Sequence, residues 1–105
     1  MNDMTPDPDA CTTLAEVFAA VDAIDRALIE NLSRRFAYTR AAARIEQDRA
    51  EQAEELRRKS TIATARQQAF DRGVPVGLVG DFWDRLFDAS VAYERQARAR
   101  IHQTN

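Results

Sequence analysis

Between Ala10 and Gly73 the chain contains neither glycine nor proline. A stretch of that length without the two residues that interrupt helices favours long helices and leaves a β-rich fold short of turns. The expected fold class is therefore all-α. Thr13-Leu14-Ala15-Glu16 reads as a capping box, with Thr13 at the N-cap and Glu16 reaching back to its amide. Apolar residues then recur at Leu14, Val17, Val21, Ile24 and Leu28, the spacing of a helix packed along another helix. Leu32, Phe36 and Ala42 continue an apolar face, so helix 1 reaches at least about Ile45. At about 1.5 Å per residue it is on the order of 50 Å long. A compact chain of this size has a radius of gyration of only roughly 13 Å. One monomer cannot cover such a helix, and a homodimer is the expected remedy.

Two further helices follow. Helix 2 covers roughly Glu55 to Arg72, with a modest apolar stripe at Ile62, Ala65 and Ala69. Gly73 followed by Pro75 is a stop signal, because glycine supplies a left-handed C′ position and proline blocks continuation. Helix 3 runs from about Gly77 to His102, and Leu78, Val79, Phe82, Trp83, Leu86, Phe87 and Val91 are expected to make a broad buried face. The polar segment from Glu46 to Ser60 reads equally as a solvated helix or a loop. Residues 1–12 are expected to be a disordered tail and 13–105 one helical domain.

Charge and composition narrow the function classes. The formal net charge is −2, which implies no nucleic-acid partner. The first ten residues are acidic and polar, unlike a signal peptide, and no stretch approaches the length of a membrane span. A single cysteine, Cys11, excludes an internal disulfide and fits a reducing cytoplasm. His102 is the one histidine, so no metal site is expected.

The seam of helix 1 contains an anomaly. Arg35 stands seven residues after Leu28, where the seam calls for an apolar side chain, and Asn31 between them is polar too. A cation facing a bundle interior is costly unless an anion meets it. Arg35 is thus either half of a structural ion pair, a side chain reaching out to water, or part of an anion-binding pocket. Glu46, eleven residues on, returns to the same face within about 20°. On helix 3, Trp83, Phe87, Ser90 and Glu94 form one stripe that turns polar at its last two members. Ser90 and Glu94 are candidates to line the interior, the alternative for Glu94 being a solvated place near the helix end.

Three runs carry a resemblance: Cys11-Thr12-Thr13-Leu14-Ala15-Glu16-Val17, Val21-Asp22-Ala23-Ile24-Asp25-Arg26 and Leu32-Ser33-Arg34-Arg35-Phe36-Ala37-Tyr38. Together they resemble the first helix of the all-helical chorismate mutases, and most of all the isochorismate-pyruvate lyase branch. The similarity extends over about Cys11 to Ala97. It implies an intertwined homodimer with two pockets, each enclosed mainly by one chain and completed by the other. It implies a small dicarboxylate substrate, no cofactor and no covalent intermediate. Catalysis then rests on holding the substrate in a compact shape and stabilising charge on its ether oxygen.

Carried over position by position, Arg35 matches the helix 1 arginine that binds a carboxylate, as a planar guanidinium does bidentately. Arg57 matches the arginine of the loop before helix 2. Ser90 stands one turn before the helix 3 residue that faces the ether oxygen. Three positions depart from the family pattern: Phe18 replaces a partner-chain arginine, Glu46 a lysine and Glu94 a glutamine. Replacing a cation by an anion about 4 Å from a carboxylate reverses a term of roughly 4 kcal/mol at an effective dielectric near 20. The implied pocket is remodelled and less cationic. Three readings follow: a Claisen rearrangement or pyruvate elimination on chorismate, isochorismate or a close analogue; a mutase for an amino-substituted chorismate, with Glu46 or Glu94 pairing the ammonium; and a non-catalytic helical dimer.

Overall fold

The computed structural model describes residues 6–45 and 51–103, with side chains omitted at 51–52 and 102–103. Three helices carry the fold: α1 (Leu14–Ile45), α2 (Glu51–Asp71) and α3 (Val76–Gln103). Among the described residues there is no strand. The family-type all-α arrangement of a long first helix, a shorter second and a third is as the sequence implies. Ahead of α1, Pro8–Ala10 make one turn of 3-10 helix, and Asp7 caps it by accepting from the Asp9 amide at 3.0 Å.

The start of α1 is fixed by its cap. The Glu16 amide donates to Thr13 Oγ1 at 3.2 Å, and the Thr12 and Thr13 hydroxyls each donate to Glu16 Oε1 at 3.0 Å. The hydroxyls of Thr12 and Thr13, followed by their amides, hold the Glu16 carboxyl below its ordinary value of 4.5. The carboxylate also suits the positive end of the helix.

Helix α2 begins at Glu51, several residues ahead of the sequence expectation. The reason is propensity: Glu, Gln, Ala, Leu and Arg fill its first turns, and none of them needs a buried face to stay helical. It ends in a Schellman motif. Gly73 has φ 71°, the Val74 amide donates to the Ala69 carbonyl at 2.9 Å, and the Gly73 amide donates to Phe70 at 3.3 Å. That closes the last carbonyls and lets Pro75 cap the start of α3, whose Val79 amide reaches the Pro75 carbonyl at 3.2 Å.

The chain divides between Arg35 and Phe36 into two compact units, and α1 runs through both. In the first unit the seam lies open within the single chain: Leu14 is 71% exposed, Ile24 50% and Leu28 56%. In the second unit α2 packs along α3. The buried apolar residues there are Ala43, Ala65, Ala69, Leu86 and Phe87. Small residues on α2 allow the two helices to approach closely, and Leu86 and Phe87 fill the space between. The end of α1 joins them: Phe36 meets the Tyr93 ring edge-on at 4.9 Å, and Arg40 donates to the Tyr93 hydroxyl at 2.6 Å. The broad buried face expected for α3 is narrower in one chain. Val79, Trp83 and Val91 are half-buried, while Leu78 and Phe82 are exposed. α2 covers only one side of α3, and Leu78 and Phe82 lie beyond it.

Candidate active site

The inward stripe of α3 follows the helical repeat. Trp83 is half-buried, Phe87 buried, Ser90 half-buried and Glu94 buried. The first two pack as hydrocarbon. The last two bring polar groups into the same interior. Ser90 Oγ donates to the Leu86 carbonyl one turn back at 2.7 Å, which fixes its rotamer against the helix.

Glu94 is 3% exposed, and a carboxylate at that depth needs a counter-charge. Arg98, one turn further along α3, supplies it at 3.3 Å from Oε2. The same guanidinium lies 4.0 Å from Oε1 of Glu54 on α2, whose Oε2 is 3.6 Å from Arg95. The side chains of Glu54, Glu94 and Arg98 are all mostly buried. Two helices are thus joined by two carboxylates and two guanidiniums. Beside them, Glu54, Arg58, Phe87, Asp88, Val91 and Arg95 line a cleft of about 430 Å³.

Arg58 forms the next tier. It spans from α2 to Asp84 and Asp88 on α3, and its guanidinium carbon lies 5.1 Å from the centre of the Phe87 ring. Two carboxylates one helical turn apart hold both of its terminal nitrogens, and the ring closes off one face.

The sequence candidates fall out as follows. Arg35 is half-buried on α1, whereas its neighbour Arg34 is exposed and bonds Asn31 at 3.5 Å. Phe18 is 60% exposed on the same helix. Ser90 and Glu94 share the interior stripe of α3. Arg57 does not stand in a loop before helix 2; it lies in the second turn of α2 and is exposed. From Glu51 on, the polar segment is helix, and the adjacent Arg58, turned about 100° from Arg57, reaches Asp84 and Asp88 on α3; the segment's first five residues lie outside the described residues. Glu46 lies outside the described residues. Among the described residues no group of three or more His, Cys, Asp or Glu side chains is placed to hold a metal ion, and no helix is long and apolar enough to cross a membrane.

Sequence reasoning missed Glu54, Arg58 and Arg98. A signal existed for each. Arg58 stands seven residues before Ala65 and eleven before Ala69, on the buried face of α2; Glu54 is one turn before Arg58; Arg98 is one turn after Glu94. The family model for chorismate mutase type II matches residues 17–95, about three quarters of the chain. The chain belongs to the chorismate mutase type II family. It is accordingly a chorismate-mutase-like enzyme of the isomerase type, acting on a small molecule. No curated protein matches the chain. The family match takes in Glu54, Arg58, Ser90 and Glu94 and stops before Arg98.

Proposed function

We propose that the chain works as an intertwined homodimer on a chorismate-type dicarboxylate, with a pocket less cationic than the family pattern. The observation that carries this reading is the α3 stripe, apolar at Trp83 and Phe87 and then polar at Ser90 and buried Glu94. An apolar wall suits a carbocyclic ring, and a few placed polar groups suit its substituents. In this reading Arg35 binds a carboxylate, and Ser90 and Glu94 meet the oxygen-bearing side of the ring. Arg57, Phe18 and Glu46 take the remaining family positions, the last two without the cations found there in the pattern. The bond change is internal to the substrate, either a rearrangement of the enol-pyruvyl ether or an elimination of pyruvate. No cofactor is required, and the protein contributes shape and electrostatics.

A second substrate fits one specific observation. Glu94 is a buried carboxylate in an ion pair, and a ring that carries an ammonium complements it better than an ether oxygen does. An amino-substituted chorismate is therefore the alternative.

The deciding experiment incubates the purified protein with chorismate, isochorismate and 4-amino-4-deoxychorismate and reads products by mass spectrometry. Prephenate, pyruvate with salicylate, or the amino analogue of prephenate each selects one reading. Arg35→Ala should lower kcat/KM for the accepted compound on the order of 10–100-fold, the worth of a charge-assisted contact. No turnover of any of the three overturns the chorismate-type reading.

A further inference from the structure

We infer that Arg98 is a positioning residue that holds Glu94 as an ionised hydrogen-bond acceptor, so the substrate group meeting Glu94 carries a hydrogen, as an ammonium or hydroxyl does. The inference rests on the chorismate-type reading of the site and names the chemistry of one substrate substituent. It starts from the choice open to a buried carboxyl. With 3% exposure, Glu94 can stay neutral and donate a hydrogen bond, or stay charged beside a cation and only accept. The geometry selects the second state. Arg98 lies 3.3 Å from Oε2 with its own side chain largely buried, so little water screens the pair.

Arg98 is itself held from a second helix. Glu54 on α2 is 4.0 Å from the same nitrogen that faces Glu94, and Glu54 is steadied by Arg95 at 3.6 Å. Among the described residues, Arg98 on the same helix faces Glu94, Glu54 on α2 stands behind Arg98, and Arg95 pairs with Glu54. One guanidinium nitrogen thus stands between two carboxylates, 3.3 Å from Glu94 and 4.0 Å from Glu54, so the charge beside Glu94 is placed by contacts on two helices. An ionised Glu94 repels an ether oxygen and accepts from an N–H or O–H. A ring ammonium gains both the hydrogen bond and the charge, and a ring hydroxyl gains only the hydrogen bond.

The test reads the Glu94 proton directly. Infrared difference spectra between the wild type and Glu94→Gln at neutral pH should show the loss of carboxylate bands and no loss of a carboxylic-acid carbonyl band. In Arg98→Met, the same difference against Glu94→Gln/Arg98→Met should show the acid band, and Arg98→Lys should restore the carboxylate. The preference for 4-amino-4-deoxychorismate over chorismate, read as a ratio of dissociation constants or KM values, should fall by about tenfold in Arg98→Met, or about 1.4 kcal/mol, and persist in Arg98→Lys. An acid band for Glu94 in the wild type, or a carboxylate band that survives Arg98→Met, overturns the inference. The wild-type arm needs no Arg98 variant, so an acid band there overturns the inference even where Arg98→Met does not fold, and Arg98→Lys then supplies the arm that tests the arginine itself. Bands that behave as expected in a protein that binds neither compound uphold the hold of Arg98 on Glu94 and overturn the chorismate-type reading instead.

Discussion

The first half of α1 and the α2–α3 pair are built from similar chemistry and end in opposite conditions. Both have an apolar repeat at helical spacing. On α2 and α3 that repeat is met from within the chain, where Ala65, Ala69, Leu86 and Phe87 are buried. On α1, Leu14, Phe18, Val21, Ile24 and Leu28 are left largely open. The difference lies in what stands opposite. α2 and α3 are joined by a four-residue connection and fold back on each other. The seam of α1 has large side chains and no such neighbour next to it in sequence. A helix whose apolar stripe stays uncovered gains too little from its own hydrogen bonds to be stable by itself in water, and that shortfall is the ground for the proposed dimer.

The sharpest way to break this contrast is to charge the open seam. Ile24→Asp or Leu28→Lys should abolish the proposed dimer, expected to sediment at twice 11.9 kDa, and should release much of the helical signal. Burial of each such side chain contributes about 1.5–3 kcal/mol, and a charge in its place adds a desolvation cost. A wild type that sediments as a folded monomer at low micromolar concentration removes the basis for the dimer.

A substitution on the other side of the contrast should be costly yet leave the assembly intact. Leu86→Ala empties part of the α2–α3 core, where Leu86 is 8% exposed, and should cost about 2–5 kcal/mol. Urea melts should show it as a lower midpoint, with the dimer still sedimenting intact below that midpoint.

The cap of α1 gives a smaller effect with a pH signature. Thr13→Ala should cost about 1 kcal/mol, the usual worth of an N-cap hydroxyl. Glu16 has its folded value depressed below 4.5 by the Thr12 and Thr13 hydroxyls. Its contribution is therefore present above the unfolded value and lost as pH falls through the lower folded one. Thermal melts of wild type and Thr13→Ala should differ most near neutrality, and the gap should narrow at strongly acidic pH to what the bond between the Glu16 amide and Thr13 Oγ1 contributes.

The smallest effect is expected at Gly80. A Cβ built there comes within 2.8 Å of Arg66 Nε, which is the far end of a flexible, exposed side chain and can move aside. Removing a glycine from a helix interior gains up to about 1 kcal/mol, so Gly80→Ala should be neutral or slightly stabilising. A large loss in a urea melt would mean that Arg66 is held in place across α3.

The features the sequence made legible are those written in local chemistry. Thr13 and Glu16 marked the start of α1, Gly73 and Pro75 marked the turn, and the spacing of Trp83, Phe87, Ser90 and Glu94 gave the inward stripe of α3. Less legible was whatever depends on which neighbour a face meets. The start of α2 was hidden because its first turns are polar, and a polar helix has no period to read. Arg57 and Arg58 are adjacent, and only the packing of α2 on α3 decides which one turns inward. Leu78 and Phe82 read as core because they are apolar, yet both are exposed. Arg98 escaped notice for a related reason: a basic helix end is ordinary, and only the depth of Glu94 gives that arginine a task.

The Gly73 turn also bears on the order in which the molecule assembles. With α2 and α3 separated by so few residues, their pairing costs little loop-closure entropy and can form on the timescale of local helical events. In the proposed dimer, covering α1 is by contrast an encounter between two molecules. Refolding from denaturant should therefore proceed in two stages: an early gain of helicity at a rate indifferent to protein concentration, and a later one that quickens as the chains are brought closer together. A dilute, newly made chain would spend that interval as a closed hairpin trailing an unsatisfied helix, which is when it is most exposed to aggregation.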